Sequence, residues 1–321
     1  MSALLCAPYR RPACSKSLLR ALARSYLVGT TRGPLTKLAR LSFLRLAVVA
    51  LLLACCALVA VGCGSSGSDS TTKTSTGADA TSPGTIEGDA LDRLPTVPAP
   101  TAPPPSLSGR STTDMRTYLR TVFDDAQTLW HHEFTSAGQP YAPARLTLFS
   151  QAVHSGCGSQ ADVGPFYCGA NHGIYLDLRF FRALEQRFGI GGFAQAYVVG
   201  HEFGHHVQNL TGVLQRLRVA DQQDPAGENA RSVRFELQAD CLAGVWAHSV
   251  YRRGQLTDAD VSQALRAAQL IGDDFQQRVS GNAVDSGLWT HGSSAQRQRW
   301  FTTGLEHGDP GACDTFSAAT I

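Results

Sequence analysis

The feature that most restricts how this chain folds is an apolar segment, Phe193–Leu210, that contains one glutamate and three histidines. Apolar residues stand on both sides of these polar residues, which predicts a buried helix. A buried polar side chain is costly unless it has a hydrogen-bond or metal partner, so the fold has to supply such partners inside the core. The other interpretation is a surface helix whose histidines are incidental.

The spacing inside this segment favours a metal site. It reads His201-Glu202-Phe203-Gly204-His205, the pattern H-E-x-x-H. Positions four residues apart share one face of a helix, so both imidazoles can reach one Zn²⁺ ion. Glu202 projects in a neighbouring direction, where it can reach a metal-bound water. We therefore expect His201 and His205 to be zinc ligands and Glu202 to be the general base.

A catalytic zinc site needs a third protein ligand and an open fourth position. We expect Glu236, on the next long helix, to be that ligand and the site to hold one Zn²⁺ per chain. Asp240 follows one turn later and is expected to accept the ring N–H of a liganding histidine, in the first place His201. A solvated acidic face is the alternative, although the neighbouring residues 237–246 are mostly apolar.

The periodic part of the chain begins near Ser111 and predicts an α+β domain, mainly helical with a small sheet. Residues 110–321 are expected to form this domain. The predicted helices are 114–136, 180–188, 193–210, 229–251 and 258–274, with a further helix after Ser293 or Ser294, and the predicted strands are 144–153 and 173–178.

The N-terminal region, residues 1–63, is interpreted as a targeting segment rather than as part of the folded domain. A basic stretch without any Asp or Glu precedes 17 uncharged residues, 46–62. This predicts a signal peptide or short membrane anchor that places the rest of the chain outside the cell membrane. The sequence around Cys63 resembles a bacterial lipoprotein signal, so Cys63 is the candidate for lipidation. Lipidation at Cys55, an uncleaved anchor, plain secretion and a buried core helix are the alternatives.

Residues 64–109 are rich in Ser, Thr, Gly, Ala and Pro and are expected to form a disordered tether. The net charge of +2 conceals the basic N-terminal region, so the rest of the chain is mildly acidic. We therefore expect no nucleic-acid partner.

Four of the nine cysteines, Cys157, Cys168, Cys241 and Cys313, lie in the predicted folded part. In an exported protein they are candidates for two disulfides, of which Cys157–Cys168 and Cys241–Cys313 are the pairs considered, while the sequence leaves the connectivity open. Four buried thiols are the alternative. A zinc site built from cysteine is disfavoured, because the folded part contains no C-x-x-C pair.

Six stretches carry a resemblance: GPFYC (164–168), YLDLRFF (175–181), VVGHEFGHHVQN (198–209), ELQADCLAGVWA (236–247), HGSSAQRQRWF (291–301) and CDTFS (313–317). Together they resemble one bacterial family, described as putative neutral zinc metallopeptidases. More broadly, H-E-x-x-H on one helix and E-x-x-x-D on the next resemble the gluzincin type. The resemblance implies a zincin-like metallopeptidase fold, His201, His205 and Glu236 as ligands, and Glu202 as catalytic base. One departure is the sequence 169–172, Gly-Ala-Asn-His, after Cys168.

Two further expectations concern substrate. Zincin-type sites hold the substrate against the edge of a sheet, and strand 173–178 is the candidate edge, with a central position as the alternative. His291 is the first candidate to stabilise an oxyanion and Tyr197 the second. A purely structural His291 beside a helix start is the alternative.

The sequence thus predicts a zinc peptidase that hydrolyses peptide bonds of a peptide or protein substrate through a zinc-bound water activated by Glu202. Endopeptidase action is the working expectation, although the residues do not distinguish it from exopeptidase action. The membrane is an expected partner through the N-terminal anchor, and the oligomeric state is unspecified. A non-catalytic zinc-binding envelope protein, with a structural or partner-binding role, and a zinc hydrolase of other substrates are the alternatives.

Overall fold

A computed structural model describes residues 91–96, 115–161 and 163–321. The expectations for residues 1–63, including Cys63, and nearly all of the tether 64–109 lie outside the described residues. In the described part the protein is mainly helical with two small sheets, as the α+β prediction requires. The helices are α1 (Met115–Ser136), α2 (Leu178–Phe188), α3 (Phe193–Leu210), α4 (Val213–Gln223), α5 (Glu228–Arg252), α6 (Asp258–Ile271), α7 (Asp273–Val279) and α8 (Ser294–His307), and the strands are β1 (Arg145–Phe149), β2 (Val153–Ser155), β3 (Gly158–Gln160), β4 (Phe166–Cys168) and β5 (Gly173–Asp177).

The larger sheet has the order β1-β5-β4, with β5 parallel to β1 and antiparallel to β4. All five residues of β5 are buried. The expectation that strand 173–178 forms the sheet edge is therefore wrong, because this strand pairs on both sides. The edge next to helix α3 is β4. A separate hairpin pairs β2 with β3.

Helices α3 and α5 pack closely because small residues face each other where they meet. A Cβ atom on Gly204 would lie 2.7 Å from the Cα atom of Ala239, and one on Gly200 would lie 3.0 Å from the Trp246 ring. Only glycine permits this approach of backbone to backbone. The contact brings the Glu236 end of α5 against the histidines of α3.

Helix α8 packs against α5 in the same way. A Cβ atom on Gly304 would meet the carbonyl oxygen of Cys241, and one on Gly244 would meet that of Phe301. The close contact carries Arg297, on α8, into the core beside α5. The disulfide Cys241–Cys313 ties the middle of α5 to the C-terminal segment. The second candidate pair also forms, since Cys157 is bonded to Cys168.

The predicted helix boundaries hold where local signals exist. Helix α3 spans 193–210 as predicted, and α2 ends at Gly189, whose φ is 63°. The predicted helix 258–274 is instead two helices, α6 and α7, separated by Gly272 in an extended conformation. Ser293 caps α8, because its side-chain oxygen accepts a hydrogen bond from the backbone N–H of Gln296. Helix α4 was not predicted.

None of the helices in the described part of the chain combines the length and apolar character that a membrane span requires.

Candidate metal centre

Three side chains from the two packed helices converge at one point. Nε2 of His201 lies 3.1 Å from Oε2 of Glu236, and Nε2 of His205 lies 3.5 Å from Oε1 of the same carboxylate. One ligand atom from each residue lies within 4.8 Å of the other two. Among the residues described, this is the group of His, Cys, Asp and Glu side chains arranged to hold a metal ion.

The donor set suits zinc. Bonds of about 2.0–2.1 Å at tetrahedral angles place donor atoms about 3.3 Å apart. Nε2 of His201 and Nε2 of His205 lie at comparable distances, 3.1 and 3.5 Å, from the two different oxygens of Glu236. Two imidazole nitrogens and one carboxylate oxygen are the ligand types of catalytic zinc sites, which leave a fourth position open. The centre is enclosed, with side-chain exposures of 9% for His201, 12% for His205 and 13% for Glu236.

Asp240 orients His201 from behind. Its Oδ1 accepts a hydrogen bond from Nδ1 of the imidazole at 2.8 Å and another from the Tyr197 hydroxyl at 2.5 Å. Arg297 donates to both carboxylate oxygens of Asp240, each at 2.8 Å. All of these side chains are buried. The carboxylate is thus held on several sides, and Nε2 of His201 is left to face Glu236.

His205 has a different partner. Its Nδ1 lies 2.8 Å from Oε1 of Gln208, and the Phe235 ring stacks on its face with 4.9 Å between ring centroids. The two histidines therefore both present Nε2 to Glu236, one held by a carboxylate and the other by a neutral amide.

In the metal-free centre the pKa values of the two imidazoles shift in opposite directions. Burial disfavours the charged form of His201, but Asp240 and Glu236 outweigh it and raise the pKa of His201 to about 9. Burial and the neighbouring His201 lower the pKa of His205 to about 4. Burial would raise the pKa of Glu236, yet the facing imidazoles hold it well below its ordinary value. Glu236 is therefore ionised and His205 neutral at pH 7.

Glu202, the predicted base, is buried at 6% exposure and follows His201 directly on α3. His291, the predicted oxyanion residue, lies on the loop that precedes α8. It is near enough to Glu236 for its charge to lower the pKa of that carboxyl group. His291 therefore lies within electrostatic reach of Glu236, and its role at an oxyanion stays a prediction.

Asp273 fixes the loop that carries His291. Its Oδ2 accepts hydrogen bonds from the backbone N–H groups of Thr290, His291 and Gly292, at 2.8, 2.7 and 3.0 Å. Its Oδ1 lies 3.5 Å from Nδ1 of the His291 ring. These donors hold the pKa of Asp273 below its ordinary value despite burial. One carboxylate thus anchors both the backbone and the ring.

A comparison of the sequence with known protein families finds a match that covers the whole centre. A profile of the family described as "Putative neutral zinc metallopeptidase" matches residues 94–316, a range that contains every residue of the centre.

The chain belongs to this family.

Curated relatives align with more than half of this metallopeptidase-family chain. Uncharacterized protein YpfJ of Escherichia coli strain K12 is 42% identical over 202 residues, which cover 62% of this chain and 70% of the relative. Uncharacterized protein Rv2575 of Mycobacterium tuberculosis strain H37Rv is 47% identical over 194 residues, which cover 56% of this chain and 65% of the relative. No solved structure matches this chain.

The sequence analysis did not identify three residues that support the metal centre of this metallopeptidase-family protein: Arg297, Asp273 and Gln208. Arg297 and Asp273 lie far along the chain from the residues they hold, so no spacing pattern marks them. Gln208 did carry a signal, since it stands three residues after His205 on a helix predicted to be buried. The expectation for Tyr197 is wrong, because its hydroxyl is buried against Asp240 and has no access to a substrate.

A second polar cluster joins the edge strand β4 to the metal-binding helix. The Tyr167 hydroxyl lies 3.0 Å from Nδ1 of His206 and accepts a hydrogen bond from the Asn209 side chain at 2.9 Å. Burial raises the pKa of Tyr167 above its ordinary value, so the phenol stays protonated. The cluster therefore fixes β4 next to the residues that follow His205.

Proposed function

We propose that this protein is a zinc-dependent peptidase in which His201, His205 and Glu236 hold the metal. The observation that carries the proposal is the convergence of these three donors beside Glu202, inside a site enclosed by two packed helices. The family profile supports the same activity. With it we infer a zincin-like architecture, in which α3 is the active-site helix.

Bound zinc supplies a Lewis acid that polarises a peptide carbonyl and lowers the pKa of a water molecule. The chain's own residues supply proton transfer and orientation. Glu202 accepts the proton of the attacking water and returns it to the amine that leaves. His291, as the doubly protonated ring with its Nδ1–H toward Asp273, donates a hydrogen bond from Nε2–H to the oxygen on which negative charge develops. Asp240 and Gln208 keep His201 and His205 in place throughout.

We further propose that the domain works outside the cell membrane, tethered by its N-terminal region. The two disulfides support an oxidising compartment, because such bonds seldom persist in a reducing cytosol. The apolar segment 46–62 and Cys63 are the proposed anchor.

The test is cleavage of a mixed peptide library by the full-length protein produced in an oxidising compartment. Glu202→Gln is expected to lower the cleavage rate by about 10²–10⁴-fold, because it removes the base and leaves the ligands intact. The exposed Glu228→Gln on α5 is the matched control and is expected to retain full activity. Zinc bound without cleavage would favour the non-catalytic zinc-binding alternative.

A further inference from the structure

Gln208 is a buried amide at the back of the metal centre. It lies on α3, one turn after His205, and its side chain is fully buried. Its amide group has three partners in the structure: Nδ1 of His205 at 2.8 Å, the carbonyl oxygen of Phe235 at 2.7 Å and the side chain of Gln238 at 3.0 Å. An amide has a donor end and an acceptor end, so these partners decide which end faces the histidine.

Two backbone carbonyls determine which end of each side-chain amide, in Gln208 and in Gln238, faces which partner. The Phe235 oxygen only accepts hydrogen bonds, so the NH₂ group of Gln208 has to face it. The Gln238 side chain is fixed in the same way, because its NH₂ group donates to the carbonyl oxygen of Cys313 at 3.1 Å. Oε1 of Gln238 therefore faces Gln208, and Oε1 of Gln208 faces His205.

The orientation of the Gln208 amide determines which nitrogen of the His205 ring carries the hydrogen. An oxygen acceptor at 2.8 Å requires a hydrogen on Nδ1 of His205. In a neutral imidazole the other nitrogen, Nε2, then carries the lone pair. We propose that Gln208 is a positioning residue that fixes His205 as the Nδ1–H tautomer and aims its Nε2 lone pair at the metal position, and that the carbonyl of Cys313 anchors it through Gln238.

The surrounding contacts strengthen this assignment. Phe235 holds the imidazole twice, through its stacked ring and through its carbonyl oxygen on Gln208. Phe235 directly precedes Glu236, so the same turn of α5 carries a ligand and the support of another ligand. The disulfide Cys241–Cys313 fixes the far end of the hydrogen-bond chain on α5. A neutral amide also avoids a further negative charge in an enclosed site that already contains Glu202, Glu236 and Asp240.

The inference deepens the proposed function, since a metal is what uses the Nε2 lone pair. Its first test needs no metal and no variant of Gln208. In the metal-free full-length protein labelled with ¹⁵N-histidine, NMR reports which ring nitrogen of His205 carries the hydrogen, with His205→Gln identifying the signal. The result expected is hydrogen on Nδ1. Hydrogen on Nε2 would overturn the inference.

The second test is zinc affinity, measured by competition with a chelator. Gln208→Met keeps the side-chain length and removes both the donor and the acceptor, and it is expected to weaken zinc binding by about 10–100-fold. Gln238→Met is expected to cause a smaller loss, because Phe235 still orients Gln208. Gln195→Met is the matched control, since Gln195 is also buried on α3 and lies ten residues before His205.

The outcomes separate this inference from the proposed function. If wild-type protein binds no zinc but His205 carries hydrogen on Nδ1, the proposed function fails and the tautomer assignment stands. If the wild type binds zinc and a folded Gln208→Met variant binds it equally well, the positioning role is contradicted. If Gln208→Met does not fold, the tautomer in wild-type protein and the affinity of Gln238→Met decide.

Discussion

Nδ1 of His201 donates a hydrogen bond of 2.8 Å to Oδ1 of Asp240, the residue one helical turn beyond the proposed ligand Glu236. The same helix therefore supplies a ligand and the orientation of a second ligand. Arg297 completes this arrangement by pairing with Asp240 while only 1% exposed. Removing Asp240 should then affect both metal binding and folding.

We expect Asp240→Ala to weaken zinc binding by about 10–100-fold, because His201 loses the acceptor that orients it. The variant should also lower the free energy of unfolding by about 3–5 kcal/mol, since it leaves the Arg297 charge buried without its partner. Chelator competition and denaturant unfolding measure the two effects. The exposed Asp124→Ala on α1 is the control, and equal behaviour of both variants would contradict the prediction.

The contact between α3 and α5 predicts a graded pair of glycine variants. Gly204→Ala should lower the free energy of unfolding by about 1–3 kcal/mol and reduce zinc occupancy, because its Cβ meets the backbone of Ala239. Gly200→Ala should lower the free energy of unfolding by a smaller amount, since the nearest atoms to its Cβ belong to side chains. Gly191→Ala is the control, because the nearest atom lies at 3.9 Å. A reversed order would show that the helix contact does not position Glu236.

Zinc binding should release a proton from His201. With its pKa raised to about 9 in the metal-free protein, His201 is charged at pH 7.5 and has to lose that proton to bind zinc. The pKa of His205 is about 4, so it contributes none. Calorimetry at pH 7.5 in buffers of different ionisation enthalpy measures the number of protons, and we expect about one. Release of none would contradict the electrostatic account.

The same shift predicts how stability depends on pH. A pKa raised from 6.5 to about 9 on folding stabilises the metal-free protein fully below pH 6.5. This contribution should be lost as pH rises through 9, and zinc-loaded protein should not show the loss. Thermal unfolding with and without zinc between pH 6.5 and 9 measures it.

The two disulfides should differ in their effect on stability. In the chain-entropy description, removing Cys241–Cys313, with a sequence separation of 72, costs about 4 kcal/mol, and removing Cys157–Cys168, with a separation of 11, costs about 3 kcal/mol. Paired Cys→Ala variants compared by denaturant unfolding measure both values. Unchanged stability in either pair would contradict the prediction for that bond.

His291→Gln should lower kcat by about 10²-fold and leave zinc occupancy unchanged, because the residue is proposed to act on the developing oxyanion. His307→Gln, at the exposed end of α8, is the control. Loss of zinc from His291→Gln would instead give His291 a role in holding the metal.

Much of the centre could be predicted because its signals are local. The pattern from His201 to His205 fixes a helix face, and four-residue spacing sets Glu236 and Asp240 on another. The bounds of α3 followed from a similar argument. The cysteine count favoured two disulfides but left their connectivity open, because Cys241 and Cys313 are 72 residues apart. Contacts between distant segments left no such signal, and Arg297 and Asp273 act across intervals of 57 and 17 residues.

The errors have the same origin. The break at Gly272 depends on the approach of Ser294, whose Cα would lie 2.7 Å from a Cβ at that position. The sequence predicts β5 as an edge strand, but its pairing with both β1 and β4 depends on segments that are distant in the sequence. Gln208 shows the intermediate case. Its place three residues after His205 was visible in the pattern, but the Cys313 carbonyl that anchors it through Gln238 lies 105 residues away along the chain.

The central claim is that one zinc ion is held by His201, His205 and Glu236. Anomalous scattering at the zinc edge, measured on crystals of the zinc-loaded protein, tests it most directly. The account predicts one peak bonded at about 2.0–2.2 Å to Nε2 of both histidines and to the Glu236 carboxylate, with no fourth protein ligand. A peak held by other residues, a fourth protein ligand or no peak in this position would contradict it.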